Sequence, residues 1–405
     1  MTEPAERWRQ LALLAVVQIL GMSVWFAGSA VAPVLAANLS LSPGQTGWLL
    51  SGVQLGFVAG TLLAALLNLP DLLPARSYLF AAALFAAAAN ASLLYANSFS
   101  GAIASRVLTG IGLAGVYPPA MKMVATWFRR ERGLAIGVVV GALTLGKAFP
   151  YLLEGVARFP LAPALLVPSA AAGAAALLVF VGYRDGPYRF APRPFSWGLV
   201  GSVVREPALR RVTGGYLGHM WELYAFWAWV PAYLSASFAA RGKEVSGVGT
   251  LAFACVAIGA VGCVWGGFAA DRIGRATVIR RALWVSGACC LASVAMFGGP
   301  RWLVVGICLV WGVAVIADSA QFSALITEQA PGHAVGTALT LQTSVGFLLT
   351  IASIQLVPVV AGWVGWRWAL AVLALGPMAG LLAVGGAAVP GRDIAGRRAH
   401  LPTTP

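Results

Sequence analysis

The chain has 405 residues, of which 60% are hydrophobic and only 10% are charged. Ordinary soluble domains carry about 25% charged residues. This composition therefore excludes an ordinary soluble domain and indicates an integral membrane protein. The formal net charge of +14 would also fit a nucleic-acid-binding protein, and only the positions of the basic residues distinguish the two classes.

Twelve apolar runs along the chain are each long enough to cross a bilayer as a helix. A hydrocarbon core of about 30 Å needs about 20 helical residues, and Gly or Pro inside such helices is tolerated when neighbours satisfy the backbone. The sequence therefore predicts an all-α integral membrane protein with twelve transmembrane helices. The runs cover residues 11–36, 46–68, 77–97, 100–127, 133–156, 161–182, 210–238, 247–270, 278–298, 301–327, 334–361 and 366–389.

The basic residues divide unevenly between the two sides of the predicted membrane. With the amino terminus placed in the cytoplasm, 19 fall in loops and tails on that side, 5 on the other, and Arg106, Lys122 and Lys147 lie inside spans. The positive-inside rule then predicts two cytoplasmic termini, in a bacterial-type inner membrane. The net charge is explained by topology, and no nucleic-acid partner is predicted.

A charged turn occurs twice, about 200 residues apart. The stronger copy is Gly267-Phe-Ala-Ala-Asp271-Arg272-Ile-Gly274-Arg275, and the weaker is Asp71-Leu-Leu-Pro-Ala-Arg76. A motif that recurs at this spacing indicates an internal duplication of about half the chain. The prediction is a bundle over 1–182 and a second over 210–405. The stretch 183–209 would join them as a cytoplasmic linker with a short interfacial helix near 196–204.

These turns resemble the loop signature of the major facilitator superfamily, Gly-x-x-x-Asp-Arg-x-Gly-Arg, which lies after the second and eighth helices. Arg106 followed by Gly110 and Gly112 is similar to that family's fourth-helix motif. The resemblance implies two pseudo-symmetric six-helix bundles and a secondary transporter that works by alternating access. It also implies conformational gating by Asp71, Arg76, Gly267, Asp271, Arg272, Gly274 and Arg275.

Departures from the family's motifs indicate which branch of the superfamily the sequence resembles most. Leu72 and Pro74 replace an Arg and a Gly, so the first turn should be the weaker latch. The stretch Gly141–Pro150 lacks the Gly-Pro-x-x-Gly-Gly pattern of drug/proton antiporters, whereas Tyr117–Lys122 and the loop 129–137 are similar to cyanate-transporter-like members.

Ionisable groups inside a membrane are costly and so are functional candidates. Arg106 and Lys147 lie about 8 Å and about 13 Å from the outer ends of adjacent runs, and we expect them to attract a small organic or inorganic anion. In the second half Glu222, Asp318 or His219 would carry a coupling proton, because burial disfavours the charged form of a carboxylate. The further predicted substrate contacts, on helices that face the cavity in the family, are Trp25, Tyr224, Trp229 and Gln342.

Several alternatives stay open. Arg106 could pair with Glu154 and only hold helices, and His219 could bond a neighbouring helix. The transporter could instead export lipophilic or cationic compounds bound by Glu222 and Asp318. A polytopic membrane enzyme is the alternative from another class, but the three His residues are scattered and show no metal-ligand spacing. No cofactor and no metal are predicted, and a monomer is expected.

Overall fold

A computed structural model describes residues 5–129, 131–155, 160–188, 195–242 and 246–385. The side chains of Pro43, Pro70, Asp71, Glu154 and Gly155 are not among the described atoms. The described residues form α-helices and two short 3-10 turns, with no strand among them. The all-α prediction is confirmed.

Ten helices form the first half of the chain. They are α1 (Glu6–Met22), α2 (Ala27–Ala30), α3 (Ala32–Asn38), α4 (Pro43–Leu66), α5 (Leu69–Leu72), α6 (Ala75–Ser92), α7 (Phe99–Ala114), α8 (Tyr117–Ala125), α9 (Arg132–Gly155) and α10 (Leu161–Gly182).

Ten further helices form the linker and the second half. They are α11 (Trp197–Arg205), α12 (Pro207–Ala239), α13 (Val248–Ala257), α14 (Gly259–Ile273), α15 (Arg275–Met296), α16 (Arg301–Ala317), α17 (Ser319–Gln329), α18 (Val335–Val364), α19 (Trp366–Ala369) and α20 (Leu375–Gly385).

Within the described ranges, eleven helical segments are long and apolar enough to cross a membrane. The remaining predicted span, 210–238, is the seventh along the chain and corresponds to α12, whose 33 residues extend about 50 Å at 1.5 Å per residue. Three polar side chains, those of His219, Glu222 and Tyr224, are buried along this helix. Three predicted site residues thus lie on one long span.

Two spans are broken near predicted site residues. The first span stops as α1 at Met22 and resumes as α2 at Ala27, with a turn between them that contains Trp25. The tenth span breaks at Asp318, which ends α16 and precedes α17. Irregular backbone at membrane depth is tolerated only where protein buries it or where it lines a cavity, so both breaks point inward.

Glycines bring the two halves together along α9. The ladder Gly133, Gly137 and Gly141 recurs every four residues, on one face of the helix. A Cβ at Gly137 would lie 2.9 Å from the carbonyl oxygen of Cys263, and one at Gly141 would lie 3.1 Å from that of Ala260. Side chains at this ladder would push α9 away from α13 and α14, and the small residues permit backbone contact.

A second contact between the halves joins α4 to α18. Gln355 donates a hydrogen bond of 3.4 Å from Nε2 to Oγ of Ser51, and its side chain occupies the space that a Cβ at Gly47 would need. The two bundles therefore meet in two places: α9 contacts α13 and α14, and α4 contacts α18.

A helix is present where the sequence predicts one in the linker, at Trp197–Arg205. The backbone N–H of Ser196 donates to Oγ1 of Thr337 over 3.0 Å, which ties the start of α11 to α18. The position of α11 at the membrane surface stays a prediction, as do the domain boundaries at 182 and 210. Residues 189–194 of the predicted linker lie outside the described residues.

Candidate functional site

Lys147 of α9 lies buried between the two halves, with 1% of its surface exposed. Its Nζ donates a hydrogen bond to the hydroxyl of Tyr224 on α12. The same nitrogen lies 3.7 Å from the ring centroid of Trp25, 4.4 Å from that of Tyr224 and 5.6 Å from that of Trp227. Among the described side chains no carboxylate lies within salt-bridge distance of it. Aromatic faces attract a cation, but they do not neutralise it.

Two indole N–H groups in this cage donate to nothing that the structure describes. Nε1 of Trp25 and Nε1 of Trp227 are both buried without a hydrogen-bond partner among the described residues. A buried donor without an acceptor costs about 1–3 kcal/mol. The cage therefore combines one ammonium group and two free N–H donors, which is the chemistry that binds an oxyanion.

Further rings surround the cage. Trp25 packs on Phe57 of α4 and Phe347 of α18, with centroid distances of 5.3 and 5.7 Å, and Tyr224 lies 5.1 Å from Phe347. Phe57 and Phe347 are themselves 4.4 Å apart. Rings from α4, α12, α18 and the turn after α1 thus converge from both halves on one region.

Arg106 on α7 is satisfied by groups of its own half. It donates to the carbonyl oxygens of Trp25 at 2.5 Å, Val24 at 3.4 Å and Leu49 at 3.4 Å. It also donates to Oδ1 of Asn90 at 3.4 Å. A guanidinium group has five N–H donors, so four of the five are used. These bonds hold the break after α1, where Trp25 sits.

The predicted contact between Arg106 and a substrate stays a prediction. The alternative pairing with Glu154 involves a side chain outside the described atoms. Arg106 and Lys147 do converge on one residue, because the first binds the carbonyl of Trp25 and the second lies over its ring.

Glu222 lies inside the second half, bound by three donors. Its Oε2 accepts from Oγ of Ser286 at 2.8 Å, and its Oε1 accepts from Sγ of Cys290 at 3.2 Å and from Nε1 of Trp311 at 2.5 Å. Phe226, one turn further along α12, stacks on Trp311 with centroids 4.4 Å apart. The carboxylate connects α12 with α15 and α16, and these three partners all belong to its own half.

His219 and Asp318 form a buried pair at the break between α16 and α17. Nδ1 of His219 lies 2.8 Å from Oδ1 of Asp318, and both side chains are at most 2% exposed. Nε2 of His219 has no hydrogen-bond partner among the described residues. The imidazole ring packs between Tyr216 and Phe322, with centroid distances of 6.0 and 5.7 Å. Two ionisable groups thus meet at a break in a span.

Gln342 and Trp229, both predicted to contact substrate, have different surroundings. Gln342 is buried on α18, and neither atom of its amide group has a partner among the described residues. The indole N–H of Trp229 donates to the carbonyl of Ile354 at 2.8 Å, and its ring packs on Trp366. Of the two, only Gln342 offers free hydrogen-bonding groups.

The turn between α14 and α15 contacts the start of α9. Both carboxylate oxygens of Asp271 lie 3.3 Å from where a Cβ on Gly133 would be. A carboxylate is stabilised beside a helix N-terminus. Gly267 lies at the same crossing, since its own Cβ would come 2.8 Å from the carbonyl oxygen of Gly133.

Three other predicted gating residues hold the same turn. Arg275 donates from Nε to Oε1 of Glu328 and from a terminal nitrogen to Oε1 of Gln321, both at 2.8 Å. The guanidinium of Arg272 lies 3.9 Å from the ring centroid of Phe268. Gly274 has a φ of +84°, which side-chain-bearing residues rarely adopt. In the first half, Arg76 lies over Phe180 at 5.3 Å, and the side chain of Asp71 lies outside the described atoms.

Sequence reasoning missed Trp227, Phe57, Phe347 and Asn90. Trp227 follows Tyr224 by three residues and so shares its helix face, a signal that would have found it. Phe57 and Phe347 lie in ordinary apolar runs, where nothing in the sequence separates a ring in the site from a ring facing lipid.

Two six-helix bundles with a buried charged site between them define a polytopic membrane transporter. A family model described as Major Facilitator Superfamily matches residues 13–354, so the chain belongs to the major facilitator superfamily. This assignment makes it a transporter rather than an enzyme.

Curated and solved relatives agree with this family. The chain is 25% identical over 262 residues to the Agnestins efflux protein AgnL12 of Paecilomyces divaricatus, covering 60% of this chain and 56% of that protein. It is 39% identical over 49 residues to MFS-type transporter 1 of Ophiocordyceps sp. (strain BCC 1869), covering 12% and 11% of the two chains. The matches thus span little more than half, or about a tenth, of those relatives.

The fold also matches a solved structure, the crystal structure of the human organic anion transporter MFSD10 (TETRAN). The TM-score is 0.70 at 15% identity, over 94% of this chain and 100% of that one. At this identity the likeness concerns the fold. The predicted two-bundle architecture is confirmed.

Proposed function

We propose that this transporter moves a small anion by alternating access, with Lys147 as the residue that binds its charge. The supporting observation is the contact of Lys147 with Trp25, Tyr224 and Trp227 from both halves, in the absence of a carboxylate partner among the described residues. A buried charge without a partner is expensive. An anion that enters the cage would supply the missing charge and stabilise the occluded carrier.

We further propose that His219 and Asp318 carry the coupling proton. Their contact of 2.8 Å spans α12 and the break after α16, so a change in protonation would alter the geometry of that break. Glu222 is the weaker choice because three donors hold it to neighbouring helices of its own half. Gln342 would supply a neutral hydrogen bond to the substrate.

The direction of transport is proposed to be export. The relative that shares 25% identity over 262 residues is named an efflux protein, and the solved structure of similar fold is titled an organic anion transporter. A carrier for lipophilic cations is the second candidate. It is favoured by the aromatic rings around the site, and it would need Asp318 or Glu222 as the ligand.

Thermal stabilisation of the detergent-purified protein tests this proposal, because a ligand that binds the folded state raises its melting temperature. The panel contains carboxylates, inorganic oxoanions, amino acids and lipophilic cations, each at pH 5.5 and 7.5. Stabilisation by anions that disappears in Lys147→Met supports the anion carrier. Stabilisation by cations alone, retained in Lys147→Met, overturns it in favour of the second candidate.

Transport itself is then measured in proteoliposomes loaded with the stabilising anion. Wild-type protein should release the anion faster when a pH gradient is imposed, and Asp318→Asn should lose that dependence on the gradient. An unchanged dependence in Asp318→Asn would contradict the proposed proton site.

A further inference from the structure

We infer that the substrate is a monoanionic organic acid with a flat apolar body, whose carboxylate is bound together by Lys147 and the indole N–H groups of Trp25 and Trp227. This inference rests on the proposed function, since it takes Lys147 as the anion ligand. It goes further by fixing the number of charges, the hydrogen-bond donors and the shape of the substrate.

The number of negative charges on the substrate follows from the two buried cations of the first half. Four of the five N–H donors of Arg106 are used by carbonyl and amide oxygens. Among the described residues, Lys147 contacts only the Tyr224 hydroxyl and aromatic faces. One cation is therefore available to a ligand. A second negative charge on the substrate would be buried without a counter-charge, at a cost of several kcal/mol.

The two donors are identified by comparison with three tryptophans of the second half. The indole N–H of Trp221 donates to the carbonyl of Val372 at 3.2 Å, that of Trp229 to Ile354 at 2.8 Å, and that of Trp311 to Glu222 at 2.5 Å.

Trp25 and Trp227 depart from this pattern. They are buried, they both lie against Lys147, and their N–H groups have no acceptor among the described residues. Tryptophan N–H can only donate. Both sites therefore call for an acceptor atom from a ligand beside the ammonium group, and a carboxylate has two such oxygens.

The shape follows from the rings that line the rest of the region. Phe57 and Phe347 are 4.4 Å apart, and each lies within 5.7 Å of Trp25. These phenyl rings offer no hydrogen bond to a hydrated group. They suit a flat apolar body, which gains by stacking on them. A small inorganic oxoanion would gain nothing from these rings and would demand more donors than the cage contains.

The test is a binding titration of the purified full-length protein, followed by its melting temperature. Four probes are compared: benzoate, phthalate, inorganic phosphate and benzylammonium. We expect benzoate to bind at least about 10-fold more tightly than phthalate or phosphate, and benzylammonium to give no stabilisation. Equal binding of benzoate and phosphate, both lost in Lys147→Met, overturns the organic monoanion and leaves the anion carrier standing.

The donor assignment is tested by Trp25→Phe and Trp227→Phe, which remove one N–H and keep an aromatic ring. Each should weaken benzoate about 10-fold, as expected for one hydrogen bond to a charged group. Trp221→Phe removes an N–H that is already satisfied by Val372 and is the matched control, expected to bind benzoate as the wild type does. Unchanged benzoate affinity in both cage variants would overturn the assignment.

A different result would show that the proposed anion carrier itself is wrong. In that case Lys147→Met would bind every anion as the wild type does, whatever the result for the tryptophan variants. Because Lys147→Met keeps the length of the side chain, a folded variant is expected, and its melting temperature without ligand checks this.

Discussion

Arg106 and Lys147 are two buried cations on neighbouring spans of the first half, yet their contacts differ. Arg106 donates to three backbone carbonyls and to Asn90, all in its own half. Lys147 reaches across to Tyr224 and Trp227 in the other half, and a hydroxyl and aromatic faces are all that surround its charge in the described contacts.

The difference concerns what happens when the halves move. Contacts within one bundle persist while the bundle rocks as a unit, so Arg106 belongs to the framework that shapes the turn around Trp25. Contacts between bundles must break and form again during alternating access. A charge placed there without a fixed partner is available to a ligand.

Glu222 and Asp318, the two buried carboxylates of the second half, differ in a similar way. Glu222 accepts from three donors on α15 and α16, and it belongs to the framework in the same sense as Arg106. Asp318 lies at a helix break, and its one partner among the described side chains is His219, at 2.8 Å. Experiments can therefore test, for the two cations of the first half and for the two carboxylates of the second, which residue is structural and which takes part in transport.

The largest effect on stability is expected from Arg106→Met. It leaves the carbonyls of Trp25, Val24 and Leu49 without their donor, and it should lower the free energy of unfolding by about 3 kcal/mol. Thermal unfolding of the purified protein measures this. Lys147→Met is the matched comparison and should unfold at the wild-type temperature or above it, because it removes an unpaired buried charge. Equal destabilisation by both variants would erase the distinction between the two cations.

The largest effect on transport is expected from Lys147→Met. Loss of a buried charge pair with the substrate costs about 2–5 kcal/mol, so the rate of anion flux at low concentration should fall on the order of 100-fold. Flux from proteoliposomes measures it. Lys147→Arg keeps the charge and should retain part of the activity, whereas loss of flux in both variants would point to packing rather than charge.

An intermediate effect separates the two carboxylates. Glu222→Gln disturbs a site with three donors and should cost about 1–3 kcal/mol of stability, while the dependence of flux on pH stays as in the wild type. Asp318→Asn should flatten that dependence. Flux measured between pH 5.5 and 7.5 distinguishes them, and a flat profile for Glu222→Gln would transfer the proton site to Glu222.

The smallest effect is expected from Gly274→Ala in the turn between α14 and α15. A side chain at a φ of +84° is strained by about 1–3 kcal/mol. This strain is local to the gating turn, so the melting temperature should fall modestly and anion affinity should be unchanged. Gly306→Ala, in a helix where a Cβ meets nothing within 4 Å, is the control and should have no such effect.

Much of the fold was predictable because lipid imposes a long, simple pattern on the chain. The predicted runs agree with the observed spans to within a few residues at most ends, as at 161–182 and Leu161–Gly182. The linker helix at Trp197–Arg205 was expected from residues 196–204. The helix breaks at Ser23–Phe26 and at Asp318 were not expected, since nothing in an apolar run marks where a neighbour satisfies the backbone.

The candidate site was predictable as a set of residue types and not as an arrangement. The cost of charge in a membrane singled out Arg106, Lys147, Glu222 and Asp318. Which of them had a partner depended on residues far away in the chain, such as Asn90 for Arg106 and Trp311 for Glu222. Spacing along one helix gives the face of a residue but does not say which helix that face meets.

The sequence by itself determined that the protein lies in a lipid bilayer, how many spans it has and which family it belongs to. These could be read from the sequence because hydropathy and the repeated charged turn are local properties. The tertiary structure decided which buried charges are satisfied within a bundle and which lie between bundles. That outcome depends on contacts across 16 to 89 residues of chain, and the low dielectric of the interior makes each of those contacts decisive for the cost of the charge.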